Sequence, residues 1–239
     1  MFPRLNKRFY YLIGIILAFV FLYIGLKITF KFISGSKPKL SIATIELPAP
    51  AHDSQTSVEK ALTYRRSIRT YKEGALTLQQ LSQLLWSAQG ITSNTGERTA
   101  PSEGALYPLE IYVVTGNVEG LKAGLYHYLP QQHALELKMI GNNRAGLTQA
   151  GFKQNSIKDG AIDIVITGVY KRTTEKYGDR GKRFVHMEAG HAAENLYLQA
   201  YSLNLGMVSI GGFDESAVKK LLALLEEETP LYIVPIGKI

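Results

Sequence analysis

Residues 124–140 read GLYHYLPQQHALELKMI, two apolar runs on either side of the turn sequence PQQH. A proline followed by polar residues between two such runs is typical of a β-hairpin, here with strands over residues 124–129 and 134–140. Helical and strand patterns occur along the rest of the chain without a regular strand and helix alternation. The sequence therefore predicts an α+β fold and not a doubly wound parallel sheet.

The segments around this hairpin carry helix and strand signals. Thr77 begins a capping-box pattern, and apolar residues then recur on one helical face until Gly90. Asp214 is placed to cap a helix that runs to Leu225. Further elements are a short helix near Val58, a long helix over residues 182–204, strands at residues 109–116, 161–170, 206–212 and 231–237, and a loop over residues 91–108.

The formal net charge of +7 is confined to the start of the chain. The first 40 residues hold seven of the 27 basic residues and no acidic one, which leaves 20 basic residues against 20 acidic ones. A nucleic-acid binder carries its basic face on the folded domain, so that class of protein is disfavoured. The absence of cysteine excludes disulfides, thiolate metal sites and a cysteine nucleophile.

An uncharged apolar run over residues 9–26, extended past Lys27 to residue 33, predicts one transmembrane helix. A cleavable signal peptide is the alternative, and an uncleaved anchor is favoured because no small-residue cleavage site follows directly. Residues 34–56 contain three prolines and no periodicity and are predicted to be a linker. The predicted organisation is thus an anchor (1–33), a linker (34–56) and a folded domain (57–239), with the domain on the cytoplasmic face.

The stretch YRRSIRTYKE, residues 64–73, places three arginines around a serine. If it is extended, the period of two puts Arg65, Ser67 and Arg69 on one side and Arg66 and Ile68 on the other. Two guanidinium groups and a hydroxyl would then converge, which suits a phosphate. A solvated charged surface is the ordinary alternative.

Two further segments have the composition of ligand-binding loops. Residues 98–112 combine Pro101 and Pro108 with Gly104, so that a stiff loop could lie against a flat ligand. Residues 209–214, SIGGFD, put Gly211 and Gly212 between a strand and a helix, where their amides could face a ligand edge. An ordinary tight turn would look the same. A Rossmann dinucleotide site is not indicated, because no G-x-G-x-x-G follows a strand.

Taken in order, RRSIR (65–69), PSEGALYPLEIY (101–112), KYGDRGKRFVHMEAGHAAENLYLQAYSLNLG (176–206), SIGGFD (209–214) and LYIVPIGK (231–238) resemble the nitroreductase family of flavoproteins. The resemblance covers residues 57–239 and is strongest to the SagB/ThcOx-type dehydrogenase branch. It implies a mixed, mainly antiparallel sheet flanked by helices, flavin mononucleotide (FMN) as cofactor, NADH or NADPH as transient reductant, and a homodimer with flavin at the interface.

The resemblance also implies roles for individual residues. Arg65, Ser67 and Lys238 match residues that hold the FMN phosphate, and Arg69 matches a basic residue near the pyrimidine end of the ring. Gly211 and Gly212 match backbone donors at the flavin edge and are the first catalytic candidates. The full cofactor-binding set is Arg65, Arg66, Ser67, Arg69, Pro101, Ser102, Glu103, Gly104, Gly211, Gly212 and Lys238. Glu103 departs from the small residue usual at its position and is acceptable only if its carboxylate points away from the ring.

Three titratable residues on the long predicted helix need separate treatment. His186 and His191 are five apart, which puts them about 140° from each other on a helix, so they cannot share a metal ion and no metal site is predicted. Glu188 and His191 are three apart and can form a packing pair. A role for His191 as proton donor to a substrate is the alternative. Tyr177, Arg180 and Arg183 match the same branch without an implied role.

The resemblance thus predicts an FMN-dependent oxidoreductase that moves a hydride between a nicotinamide donor and an organic acceptor. An azoline dehydrogenase of peptide maturation is the second enzyme hypothesis, so the substrate is a small molecule or a peptide. A flavin-binding module without turnover is the third.

Overall fold

The computed structural model describes residues 44–239, which contain seven strands and seven α-helices. The strands are β1 (Thr44–Glu46), β2 (Leu109–Thr115), β3 (Gly124–Leu129), β4 (Ala134–Ile140), β5 (Ile162–Val169), β6 (Leu205–Met207) and β7 (Glu228–Lys238). The helices are α1 (Val58–Tyr64), α2 (Leu78–Gln89), α3 (Arg144–Ala150), α4 (Asn155–Asp159), α5 (Tyr170–Tyr177), α6 (Arg180–Ser202) and α7 (Glu215–Leu221).

The strands form one sheet in the order β1-β4-β3-β2-β5-β7-β6, and each neighbouring pair in this described part of the chain is antiparallel. The predicted hairpin is β3 and β4, with Leu129 opposite Ala134. His133 in its turn has a φ of 46°, and its amide donates to the carbonyl of Pro130. The predicted α+β class with an antiparallel sheet is confirmed.

The core lies on both faces of the sheet, and β5 is buried along its whole length. On one face Ile162, Ile164 and Ile166 pack with residues of α2 and α6. On the other face Val165 packs with residues of α3, α4 and α7. A strand covered on both sides has no reason to alternate apolar with polar residues, which explains the continuous apolar run of β5.

Two predicted helix caps are present as hydrogen bonds. The Thr77 hydroxyl accepts from the amide of Gln80, whose side chain accepts in return from the amide of Thr77. The carboxylate of Asp214 accepts from the amide of Ala217. Each cap contributes about 1 kcal/mol by satisfying amides at the start of a helix.

Helix ends differ from the predicted bounds. The long helix α6 spans Arg180–Ser202 and not 182–204, because Asn204, with a φ of 54°, ends it before Gly206. Helix α7 ends at Leu221 and not at Leu225, since Ala223 has a φ of 48°. Strand β6 ends at Met207, so Gly211 and Gly212 lie in a loop after it.

The predicted linker over residues 34–56 is wrong for its second half. Strand β1 pairs with β4, which places Ile45 opposite Leu135. The chain then lies on α2, where the Ser82 hydroxyl donates to the carbonyl of Pro48 and the Gln83 side chain bonds both backbone groups of Ala51. Residues 44–51 therefore belong to the folded domain, and the boundary at residue 57 is too late.

The predicted anchor over residues 9–33 lies outside the described residues. Within residues 44–239, no helix combines the length and apolar character that a bilayer crossing requires. The fold prediction is therefore corrected to the α+β domain alone. The predicted membrane location and the cytoplasmic placement of the domain are unsupported.

Candidate functional site

The arginine stretch begins where α1 ends. Arg65 is extended, with φ −56° and ψ 139°, and its amide donates to the carbonyl of Ala61. The guanidinium of Arg65 lies 5.1 Å from the centre of the Tyr197 ring on α6, and the hydroxyl of Ser67 lies 2.9 Å from the Tyr197 hydroxyl. Arg65 and Ser67 thus meet the same side chain, as the period of two predicts.

Arg66 and Ile68 do not share this environment. The guanidinium of Arg66 donates to the backbone carbonyls of Thr63 and Arg65, at 3.0 and 2.7 Å. Ile68 packs over Gly206, where an added Cβ would lie 2.8 Å from its side chain. Arg66 is therefore turned back on its own backbone, away from the Arg65 and Ser67 group.

Tyr197 also connects this stretch to the loop after β6. Its hydroxyl accepts a hydrogen bond from the amide of Ser209 at 3.0 Å. The Ser209 hydroxyl is buried and has no hydrogen-bond partner within residues 44–239. Two residues on, an added Cβ at Gly211 would have its first neighbour at 3.8 Å, and one at Gly212 would meet no atom within 4 Å. The loop thus offers open backbone beside the arginine stretch.

Lys238 reaches the same region through the end of β7. The amide of Lys72 donates to the carbonyl of Lys238 at 2.9 Å, and Ser67 pairs with Met207 of β6. The side chain of Lys238 crosses Gly74, at 3.2 Å from where a Cβ would lie. Arg69 is exposed on the stretch that joins these contacts. We refer to the predicted ligand-binding residues of this region as the phosphate-site residues, namely Arg65, Ser67, Arg69, Gly211, Gly212 and Lys238.

The phosphate-site residues have the chemical composition that a flat, phosphorylated ligand requires. Three cations and two hydroxyls supply charge-assisted and neutral donors, the second hydroxyl being the unpartnered one of Ser209. The open glycine loop leaves room for a planar ring to approach backbone amides. One carboxylate opposes an anion here, since Glu194 lies 3.6 Å from the guanidinium of Arg65.

The predicted ring segment Pro101–Gly104 lies elsewhere, along another face of α6. It lines a cavity of about 210 Å³ together with Phe184, Met187, Glu188 and His191. Gly104 has a φ of 63°, and an added Cβ would lie 2.7 Å from the Tyr177 hydroxyl and 2.9 Å from Nζ of Lys176. Glycine is favoured at this position, because another residue would be strained at this φ and would displace the ends of the Tyr177 and Lys176 side chains.

Glu103 is held by the end of α5. Its carboxylate accepts a hydrogen bond from the Tyr177 hydroxyl at 3.1 Å. Lys176 lies over the ring of the same tyrosine, 5.2 Å from its centre. The carboxylate of Glu103 is thus directed toward Tyr177, and a phenol and an ammonium group stand beside it as possible proton donors.

Glu188 is the buried acid of this cavity, only 3% exposed. Burial raises the pKa of its carboxyl to about 7, while hydrogen bonding from Ser102 and Gln89 and the charge of Arg98 oppose the shift. The Gln89 amide lies 3.4 Å away and in turn accepts a hydrogen bond from Arg98 at 2.8 Å. A carboxyl that titrates near neutrality can donate or accept a proton, which is the property of a general acid or base.

The two histidines of α6 lie in different cavities. His191 is exposed and lines the cavity of Pro101–Gly104, while Glu188 bonds Gln89 across the core. The predicted packing pair of Glu188 with His191 therefore does not describe the bonding of Glu188. His186 lies 2.5 Å from the hydroxyl of Tyr170 and lines a cavity of about 570 Å³ with Gly211 and Lys182.

The predicted site residues therefore fall into two sets on two faces of α6. Tyr197, which contacts two of the phosphate-site residues, is six positions from His191, so the two side chains point about 120° apart around the helix. We call Pro101, Ser102, Glu103, Gly104, Glu188 and His191 the cavity set. Sequence reasoning assigned no role to Tyr197 or Lys176 and gave Glu188 only a packing role, because the contacts of these residues join segments far apart in the chain.

Residues 62–238 match the model of the nitroreductase family. MJ1384 of Methanocaldococcus jannaschii, named as a nitroreductase, is 42% identical over 82% of this chain and 97% of its own. The Microcin B17-processing protein McbC of Escherichia coli is 29% identical over 62% of this chain and 57% of its own, so the chain spans little more than half of it. A Ralstonia eutropha structure with the nitroreductase name is 32% identical, covering 82% of this chain and 89% of its own, with a TM-score of 0.72.

The chain belongs to the nitroreductase family. The family prediction made from the five motifs is confirmed.

Proposed function

We propose that the protein is an FMN-dependent oxidoreductase that moves a hydride between a nicotinamide donor and an organic acceptor. The observation that carries this proposal is the linkage of the arginine stretch to the open glycine loop through the hydroxyl of Tyr197. The Arg65 and Ser67 end of the arginine stretch and the loop that carries Gly211 are thereby joined through one side chain. When bound, FMN would supply reversible two-electron chemistry that no amino-acid side chain provides.

The residues of the chain would bind, orient and protonate. Arg65, Ser67 and Lys238 would hold the phosphate, and the amides of Gly211 and Gly212 would donate to the ring edge. Arg69 would place a positive charge near the pyrimidine end of the ring. In the cavity set, Glu188 and His191 would exchange protons with the substrate.

The separation of the two residue sets supports a homodimer. One chain would supply the phosphate-site residues, and a second chain would supply Pro101–Gly104. The exposed apolar side chains Val58, Leu62 and Tyr64 of α1 are available for such a contact. Sedimentation of the flavin-loaded chain should then give twice the chain mass. A stable flavin-loaded monomer would contradict the shared site.

The visible spectrum of the purified chain tests the cofactor assignment. We expect a yellow protein whose flavin is released on denaturation as FMN and is bleached by NADH or NADPH under anaerobic conditions. A protein that stays colourless after reconstitution with FMN would remove the proposal. Flavin binding without bleaching by either nucleotide would instead favour a binding module without turnover.

The relationship to the Microcin B17-processing protein favours a second candidate, a dehydrogenase of peptide maturation. Lys176 and Tyr177 lie against Gly104 at the edge of the cavity, and in its deprotonated form either side chain would accept the proton that such a substrate loses along with its hydride. An azoline-containing peptide would lose two hydrogens and gain the ultraviolet absorbance of an azole. Azole formation without any NAD(P)H-dependent reduction would place this candidate first.

A further inference from the structure

The exposed stripe of α6 runs toward the cavity and begins with two arginines. Arg180, Arg183, Met187 and His191 follow each other at spacings of three, four and four residues, which puts them on one helical face. All four side chains are exposed, and Met187 is 51% exposed although it is large and apolar. The last two line the cavity with Pro101–Gly104. The stripe therefore forms a path from the cavity to two guanidinium groups.

A third cation approaches the same path from α5. Nζ of Lys176 lies 2.9 Å from where a Cβ of Gly104 would be and 5.2 Å from the centre of the Tyr177 ring. The Tyr177 ring meets the Phe184 ring edge to face, with 5.3 Å between centres, and Phe184 also lines the cavity. Arg183 lies 5.8 Å from the centre of that same Phe184 ring. Two of the three cations thus lie against aromatic rings, and one of these rings, Phe184, lines the cavity.

These cations differ from the basic residues next to them in sequence. Lys171 pairs with Glu175 at 3.6 Å, Lys182 pairs with Asp179 at 3.2 Å, and Arg172 pairs with Glu110. Lys176, Arg180 and Arg183 form no salt bridge within the described part of the chain. The acids Glu175, Asp179 and Glu110 are therefore paired with other cations, which leaves Arg180 and Arg183 available to an external anion. Lys176 stands near Glu103, whose carboxylate accepts from the Tyr177 hydroxyl, without forming a salt bridge to it.

We propose that Lys176, Arg180 and Arg183 bind an anionic group of the molecule that exchanges a hydride in the cavity. This inference rests on the proposed function and adds the substrate class. The rise of about 1.5 Å per residue puts Arg183 and Arg180 about 12 and 17 Å along α6 from His191. The anionic group is thus carried well away from the reacting atoms, on an elongated molecule. Met187, which lies between Arg183 and His191 on α6, contacts the apolar part of that molecule.

Two sources can supply such a group, namely the ribose phosphate of a nicotinamide dinucleotide and an acidic side chain of a peptide. Two pairs of probes distinguish them. Adenosine 2′,5′-bisphosphate against adenosine 5′-monophosphate reports on the ribose phosphate, and tetraglutamate against tetraglutamine reports on the acidic peptide. Titration calorimetry at low ionic strength measures all four with the full chain and needs no turnover.

The matched variants carry the same change of charge. Arg180→Gln with Arg183→Gln removes the two stripe cations, and Lys171→Gln with Lys182→Gln removes two paired cations of the same helices. We expect adenosine 2′,5′-bisphosphate to bind better than adenosine 5′-monophosphate, or tetraglutamate to bind better than tetraglutamine. The stripe variant should bind the preferred probe roughly three- to tenfold more weakly than the wild type does. The control variant should bind it within about twofold of the wild type.

Equal losses in the two double variants would show a response to net charge alone and would overturn the inference. So would a wild-type chain that binds both members of each pair equally. These outcomes are separate from failure of the proposed function, which is reported by the flavin spectrum of the same samples. A yellow, reducible protein without anion preference contradicts only the anion site.

Discussion

The hydroxyl of Tyr197 lies 2.9 Å from the hydroxyl of Ser67, although the two residues are 130 positions apart. The same phenol oxygen accepts from the amide of Ser209, so one side chain on α6 fixes both the arginine stretch and the loop of Gly211. Helix α6 is packed into the core along Val185, Ala189 and Leu196. The two segments proposed to bind the ligand therefore take their relative position from a rigid element.

Replacing Tyr197 by Phe should weaken FMN binding by up to about 30-fold, because two hydrogen bonds worth about 1 kcal/mol each no longer hold the segments together. Flavin fluorescence titration measures the effect. Tyr201→Phe is the control, since Tyr201 lies one turn later on α6 and stacks on Tyr64 instead. Equal losses in the two variants would contradict the positioning role of Tyr197.

Removing Arg65 should weaken FMN binding roughly 10- to 150-fold, the effect of losing a contact of about 1.5 to 3 kcal/mol to a charged phosphate. Arg66→Ala should have a much smaller effect, because Arg66 bonds its own backbone. Riboflavin, which lacks the phosphate, should bind both variants nearly as well as the wild type. Similar losses of FMN affinity at the two positions would contradict the arrangement.

Glu194→Gln should strengthen FMN binding about two- to fivefold, since the carboxylate at 3.6 Å from Arg65 competes with the phosphate for the guanidinium. The pair is exposed on both sides, which keeps the effect small. Riboflavin affinity should not change, because riboflavin does not need Arg65. A gain shared equally by FMN and riboflavin would indicate a general effect on the loop.

Local patterns were sufficient to predict much of the fold. The β3 and β4 hairpin, the caps at Thr77 and Asp214 and the buried β5 depend on residues near each other in sequence, and the structure confirms them. Strand β1 was missed because three residues carry no periodicity of their own. Its stability comes from pairing with β4, some 90 residues later in the chain.

The candidate site shows the same division. Alternation along the arginine stretch predicted that Arg65 and Ser67 share a side, and both meet Tyr197. The sequence could not indicate Tyr197 itself, since an aromatic on a long apolar helix is ordinarily a core residue. The raised pKa of Glu188 was equally hidden, because it depends on burial between α2 and the segment of Ser102.

Glu188 should make the stability of the protein fall as pH rises through neutrality. Burial raises the pKa of its carboxyl from 4.5 to about 7, so the folded state holds a proton that the unfolded state releases. This contribution is fully present below pH 4.5 and is lost as pH rises through about 7. Between pH 5 and pH 8 the loss should be about 2 to 3 kcal/mol.

Urea unfolding of wild type and Glu188→Gln at both pH values isolates this effect, because the amide cannot ionise. Asp163 is fully buried and burial raises its pKa as well, but it is present in both proteins and cancels in the comparison. Glu103→Gln, which removes an exposed carboxylate of the same cavity, is the matched control and should keep the wild-type pH dependence. A Glu188→Gln protein that loses as much stability as the wild type between pH 5 and pH 8 would show that Glu188 is ionised in the folded state at pH 5. A proton-transfer role for Glu188 near neutral pH would then have no basis.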